Sequence, residues 1–191
     1  MVTDTYRRAV FLDRDGVLTE ENGYITSEKD MAIFPYSRQC VHEIKKMGYL
    51  VIVITNQAAV GKGLLEEEIL KKMNRMLIEE TGVDAVYYCP HHPQAVLPGY
   101  RKECKCRKPG RGLFEQAVSD FNIGIHGSYM AGDRASDILA GQRMGLHTIL
   151  LESGYGKDNL EFNVMPDYYA QDLRSVCRII SKDTRKEGDN G

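Results

Sequence analysis

A doubly wound α/β fold, with helices covering both faces of a parallel sheet, is what this 191-residue sequence predicts. Three observations carry that reading. Short apolar runs alternate with stretches of helical spacing, as strand–helix–strand units require. The run Val51-Ile52-Val53-Ile54 is continuously apolar, as in a strand buried on both faces. Acids and hydroxyls follow the runs directly, at the strand ends where Rossmann-like sheets bind ligands.

In order along the chain, strands are expected near 9–13, 49–55, 85–88, 128–132 and 147–151, and helices near 37–47, 66–81, 112–122 and 135–144. Met73, Met76 and Leu77 fall at helical spacing and read as core, not as a partner surface. A last helix is expected around 172–181, and the polar stretch 182–191 as a flexible tail. With 42% apolar residues, 1–181 can close one core as a single domain, from which a loop over 89–106 projects. A net charge of −2 argues against broad nucleic-acid binding. No apolar run approaches the ~20 residues of a membrane span, and Met1 to Arg8 lacks the apolar centre of a signal peptide. A cytoplasmic monomer is the resulting expectation.

Four motifs carry chemistry. In Leu12-Asp13-Arg14-Asp15-Gly16, two carboxylates one residue apart leave a strand that breaks at glycine. Such a pair is costly without a cation between its members, which implies a divalent metal with oxygen ligands, Mg²⁺ by preference. One carboxylate can then attack phosphorus while the other handles protons. The competing reading is a solvated polar turn. Thr55-Asn56-Gln57 ends the second strand, where the Thr55 hydroxyl can donate to a phosphoryl oxygen or simply cap a helix. Arg107-Lys108-Pro109 puts two cations before the helix near Gly112, either at its mouth or in solvent. Gly132-Asp133 ends the fourth strand, with Asp137 one helical turn on. Asp133 is the better metal ligand of the two, and Asp137 can be structural.

A second constellation is Cys89-Pro90-His91 with Cys104-Lys105-Cys106, which matches a tetrahedral Cys₃His zinc site. Disulfides or unrelated free thiols are the alternatives. Four protein ligands leave no open position, so this zinc would fold a loop, and Cys106 would fix the adjacent Arg107 and Lys108. His92 and Cys40 are left out as adjacent or remote, and Cys177 reads as a buried thiol.

The four motifs, in this order from about Ala9 to Tyr155, resemble those of the haloacid dehalogenase superfamily of aspartate-nucleophile phosphatases. The resemblance implies a haloacid dehalogenase-like fold in which Asp13 is the nucleophile and Asp15 the acid and base. It further implies that Asp13, Asp133 and the Asp15 backbone carbonyl bind Mg²⁺, and that Thr55 and Lys108 hold the phosphoryl oxygens. The zinc loop resembles that of two sister families, the histidinol-phosphate phosphatases and the D-glycero-D-manno-heptose 1,7-bisphosphate 7-phosphatases of surface-polysaccharide precursor synthesis. Twelve residues separate His91 from Cys104, which favours the heptose family with its longer segment. By the same resemblance Glu21, Asn22, Gly23 and Tyr24, together with Asn56, Gln57 and Ala58, contact a sugar bisphosphate substrate. Arg107 would recognise its far end, and Arg134 stands where a base usually makes a polar contact. The chain departs from the family at Ala58-Ala59, usually Ser-Gly, and at Gly110-Arg111, where a proline commonly precedes the glycine. No room is left for a large cap, so loops around 21–26, 56–63 and 91–107 should wall an open site.

Overall fold

The computed structural model describes residues 6–155 and 164–189. Six strands form one sheet: β1 Ala9–Leu12, β2 Leu50–Asn56, β3 Ala85–Cys89, β4 Tyr129–Gly132, β5 His147–Leu151 and β6 Tyr168–Ala170. Their order is β3-β2-β1-β4-β5-β6, and every pairing is parallel. The helices are α1 Ser37–Lys46, α2 Ala58–Gly61, α3 Glu67–Thr81, α4 Gly112–Phe121, α5 Ala135–Met144 and α6 Leu173–Asp189.

Strand alternation divides the core into two layers. Val10, Leu12, Val51 and Val53 face α1, α3 and α6, where Ile44, Met73, Leu77 and Val176 are buried. Phe11, Ile52 and Ile54 face the opposite way, toward Leu113, Phe114 and Ala117 of α4 and Ala140 of α5. Phe11 meets Phe114 edge to face, with ring centroids 5.2 Å apart.

After β3 the chain crosses back to form β4 on the other side of β1. Strand order therefore reverses between β1 and β4, and a crevice opens at their carboxyl ends. Asp13 follows β1, Asp133 follows β4, and Thr55 lies in the last turn of β2. Between β1 and α1 the chain forms only isolated bridges and a one-turn 3₁₀ segment, Glu28–Asp30. Between β2 and β3 it forms α2 and α3, and among the described residues no helical cap covers Asp13.

Two elements were not expected. β6 is a three-residue edge strand in which Ala170 alone is buried, and α2 is a single turn. The last helix also runs eight residues past the expected Ser181, to Asp189. Polar anchoring, not apolar spacing, carries it on: Tyr168 and Tyr129 donate to Asp183 at 2.7 and 3.3 Å, and Thr184 lies 3.4 Å from the Tyr49 hydroxyl. No helix among the described residues is long and apolar enough to cross a membrane.

Candidate active site

The crevice holds a cleft of about 360 Å³. Asp13, Asp15, Glu21, Gly23, Tyr24, Thr55, Asn56, Gln57, Ala58, Arg107, Lys108 and Arg134 line it. Of the residues expected there from the sequence, Asn22 stays outside, exposed and 3.5 Å from Glu20. Asp133 lies fully buried, and Asp137, Ser136 and His92 join the lining instead.

Carboxylates of Asp13, Asp133 and Asp137 offer oxygens within 4.8 Å of one another. Lys108 is the buried counter-charge. Its ammonium lies 3.0 Å from Asp13 Oδ1 and 2.7 Å from Asp137 Oδ1, and it donates to the Ile54 carbonyl at 2.5 Å. Burial alone would lower Lys108, but the two acids outweigh it and hold it above its usual range. Burial raises Asp13 to about 6, helped by Asp137 and Asp15 and opposed by Lys108. It raises Asp133 to about 8, reinforced by Asp13 and Asp137. Asp137, left open as structural in the sequence, is thus part of the charge cluster, and it also caps α5 by accepting from the Arg134 N–H at 3.0 Å.

Asp15 does not join this cluster. Its two oxygens accept from Nε and Nη2 of Arg14, both at 2.9 Å, and also from Thr19 at 3.0 Å and Gln57 at 2.8 Å. Burial would raise its pKa, yet Arg14 and these donors bring it below the usual value. Arg14 is fully buried, and its remaining nitrogen reaches Asn74 of α3 at 3.4 Å. The Asp13–Asp15 repulsion is therefore relieved by an arginine within the motif. The case for a cation rests on Asp13, Asp133 and Asp137 instead.

Backbone conformation brings these acids together. Gly16 has φ +81°, and a Cβ there would lie 2.5 Å from Asp133 Oδ2; one on Gly154 would lie 2.0 Å from the same oxygen. The Tyr155 N–H donates to that oxygen at 2.9 Å.

Asn56 and Gln57 spend their amides inside the site. Asn56 donates to the Lys108 carbonyl at 3.2 Å and accepts from the Lys108 N–H at 3.0 Å. Gln57 donates to Thr55 Oγ1 at 2.9 Å, which leaves the Thr55 hydroxyl proton to face outward. Pro109 sits ahead of α4, outside its first turn.

At the rim, Arg134 lies 3.5 Å from Glu21 and 4.1 Å from the centre of the Tyr155 ring. Lys62 stands 4.6 Å over the Tyr24 ring and donates to its hydroxyl. Arg107 is half-buried, with Nη1 3.3 Å from the His91 carbonyl.

The four ligands expected from the sequence, Cys89, His91, Cys104 and Cys106, also meet. Their donor atoms all lie within 4.8 Å of one another, five of the six pairs at 2.9–3.7 Å, a spacing compatible with a tetrahedral metal site. None of the three cysteines forms a disulfide in the structure. The loop has a second fastening: Glu67 of α3 accepts from Tyr100 at 2.6 Å and from Tyr88 at 2.9 Å.

Residues 105–176 match the HAD-hydrolase-like family model. A D-glycero-alpha-D-manno-heptose-1,7-bisphosphate 7-phosphatase of Photorhabdus laumondii is 38% identical over 157 residues, 78% of this chain and 84% of its own. A D-glycero-beta-D-manno-heptose-1,7-bisphosphate 7-phosphatase of Haemophilus ducreyi is 37% identical over 155 residues, 78% of this chain and 85% of its own. A crystal structure of the D,D-heptose 1,7-bisphosphate phosphatase from B. bronchiseptica, complexed with magnesium and phosphate, has a TM-score of 0.78 at 26% identity, covering 92% of this chain and 99% of that one. Identity at this level over most of both chains places the protein among the haloacid dehalogenase-like phosphatases, in the family of the D-glycero-D-manno-heptose-1,7-bisphosphate 7-phosphatases.

Proposed function

We propose that the protein removes the 7-phosphate of D-glycero-D-manno-heptose 1,7-bisphosphate through an aspartyl-phosphate on Asp13. The observation that carries this is Asp13 itself, set at the cleft floor 3.0 Å from Lys108 beside two further buried acids. An Asp13 oxygen attacks phosphorus as the bond to the C7 oxygen breaks, and the leaving oxygen takes a proton from Asp15. Water then attacks the same phosphorus as its bond to the Asp13 oxygen breaks, giving a proton to Asp15, freeing phosphate and restoring the Asp13 carboxylate. Thr55 and Lys108 hold the transferring oxygens with donors already in place. Arg14 and the other donors to Asp15 favour the carboxylate that accepts the proton in the second step, so the proton that Asp15 gives in the first step is taken up against that bias.

The donor set suits Mg²⁺, a hard cation that takes oxygen ligands. Asp13, Asp133 and the Asp15 carbonyl would hold it, with Asp137 alongside; when bound it neutralises charge on the phosphoryl group. A pH dependence follows. Asp13 and Asp133 bind protons more tightly in the folded chain than in the unfolded one, so metal-free stability falls as pH rises from about 4 to about 8. Mg²⁺ must displace those protons, so the rise in Tm at saturating Mg²⁺ should be larger at pH 8 than at pH 6. An equal rise at both would remove these residues as the ligands.

Cys89, His91, Cys104 and Cys106 would hold a structural Zn²⁺, which a reducing cytoplasm leaves in place. Cys104→Ser should lower bound zinc from one per chain, open the 89–107 loop to proteolysis and raise KM before kcat. Fully reduced protein that purifies without zinc would end this reading. Glu21, Gly23, Tyr24, Ala58, Arg107 and Arg134 wall the substrate, Ala58 with only a methyl and its backbone. Arg107 is the fork for the second phosphate. All these groups come from 1–181, which supports one domain holding the whole site.

Relatives named for the alpha and the beta anomer are equally similar, so both substrates are needed in the test. Phosphate release with Mg²⁺ is measured from each heptose bisphosphate and from histidinol phosphate, with Asp13→Asn as the blank. Strong preference for a bisphosphate is expected. Preference for histidinol phosphate would keep the chemistry and overturn the substrate.

A further inference from the structure

One imidazole lining the cleft is used by neither the zinc site nor the catalytic cluster. His92 lines the cleft and is half-buried. Its Nδ1 accepts the Gln94 N–H at 3.0 Å. A backbone amide can only donate, so Nδ1 carries no proton and Nε2 must carry one. No acceptor for Nε2 is present among the described residues. The backbone that carries the ring is fixed, because the His92 N–H donates to the Tyr100 carbonyl at 3.1 Å and Tyr100 is in turn fastened to Glu67; the Gln94 N–H holds the ring itself.

Arg107 stands beside it. Its Nη1 is bonded to the His91 carbonyl, the other end of the peptide that enters His92. Lys108, the next residue, points instead to the floor and Asp13. The two successive cations thus serve opposite ends of the cleft, and His92 shares the outer one. The charge of Lys62 also acts on this ring, together with that of Arg107.

We propose that His92 is a substrate-binding residue whose Nε2–H donates to the phosphate at the end of the substrate remote from Asp13, completing with Arg107 a site selective for a second anionic group. The inference rests on the bisphosphate reading above. It assigns to the loop a contact made by a neutral donor of fixed direction, where Arg107 supplies charge. A hydrogen bond to a charged acceptor is worth roughly a tenfold change in binding or more.

The test compares wild type, His92→Ala and His92→Gln on the bisphosphate and on the same sugar carrying only the 7-phosphate, with zinc content measured in each. His92→Ala should raise KM for the bisphosphate by roughly tenfold and lower the bisphosphate-to-monophosphate ratio of kcat/KM by the same factor. His92→Gln, whose amide can place a donor near the Nε2 position, should recover most of that ratio with zinc retained. A ratio in His92→Ala equal to that of wild type would overturn the proposal, as would a zinc-replete His92→Gln no better than alanine. Wild type that shows no preference for the bisphosphate would instead overturn the substrate reading on which the proposal stands.

Discussion

Asp13→Asn is expected to lower turnover by about 10⁴-fold or more while the chain still folds, because an amide oxygen is a far poorer nucleophile than a carboxylate. The substitution is nearly isosteric, so the packing of β1 is kept. It also removes one of three buried acids whose oxygens lie within 4.8 Å of one another. Lys108 keeps Asp137 as partner at 2.7 Å. The metal-free variant should therefore melt no lower than wild type, and above pH 6 somewhat higher, since burial and like charges already push Asp13 up to about 6. Phosphate release and thermal denaturation on one preparation check both parts. Activity near that of wild type would remove the covalent mechanism. A collapsed fold would contradict the charge argument.

Lys108→Met should damage stability and catalysis together. The ammonium is fully buried and touches Asp13, Asp137 and the Ile54 carbonyl. Without it two buried carboxylates lose their counter-charge, which costs about 3–5 kcal/mol in comparable pairs. Loss of one preorganised donor to the transferring phosphoryl group lowers kcat by ~10²–10³. The two effects separate in the double variant Lys108→Met with Asp137→Asn, where one acid is neutralised. Urea unfolding should show much of the stability regained, while kcat stays low. Recovery of activity along with stability would mean that Lys108 serves the fold alone.

What the sequence made legible follows from where each residue sits. Asp13, Thr55 and Asp133 each end a run buried on both faces, and such runs are read without tertiary information. The cysteine pairs were legible because spacing alone brings two ligands together within each pair. Arg14 was not, although it stands between the two acids. Strand alternation turns it away from Asp13, but a fully buried arginine is rare, and its partner Asn74 lies sixty residues on. Asn56 and Gln57 were read as substrate contacts from the family resemblance, and both line the cleft. Their amides also bond Lys108, Asp15 and Thr55, contacts that no spacing in the sequence announces. β6 and α2 are too short for any periodicity to show.

The placement of β1 between β2 and β4 has a consequence for how activity is acquired. Asp13 precedes Lys108 in the chain, and Asp133 is held by the Tyr155 N–H, later still. Asp133 does not meet Asp13 until β4 has crossed back to pair with β1. Such long-range parallel pairings are slow, because the entropy of loop closure must be met before the contacts reward it. Catalysis is thus a late event for a nascent or refolding chain. Intermediates lacking the β1–β4 pairing would already carry much of their secondary structure and yet turn over nothing, which keeps a half-folded chain from acting as an indiscriminate phosphatase.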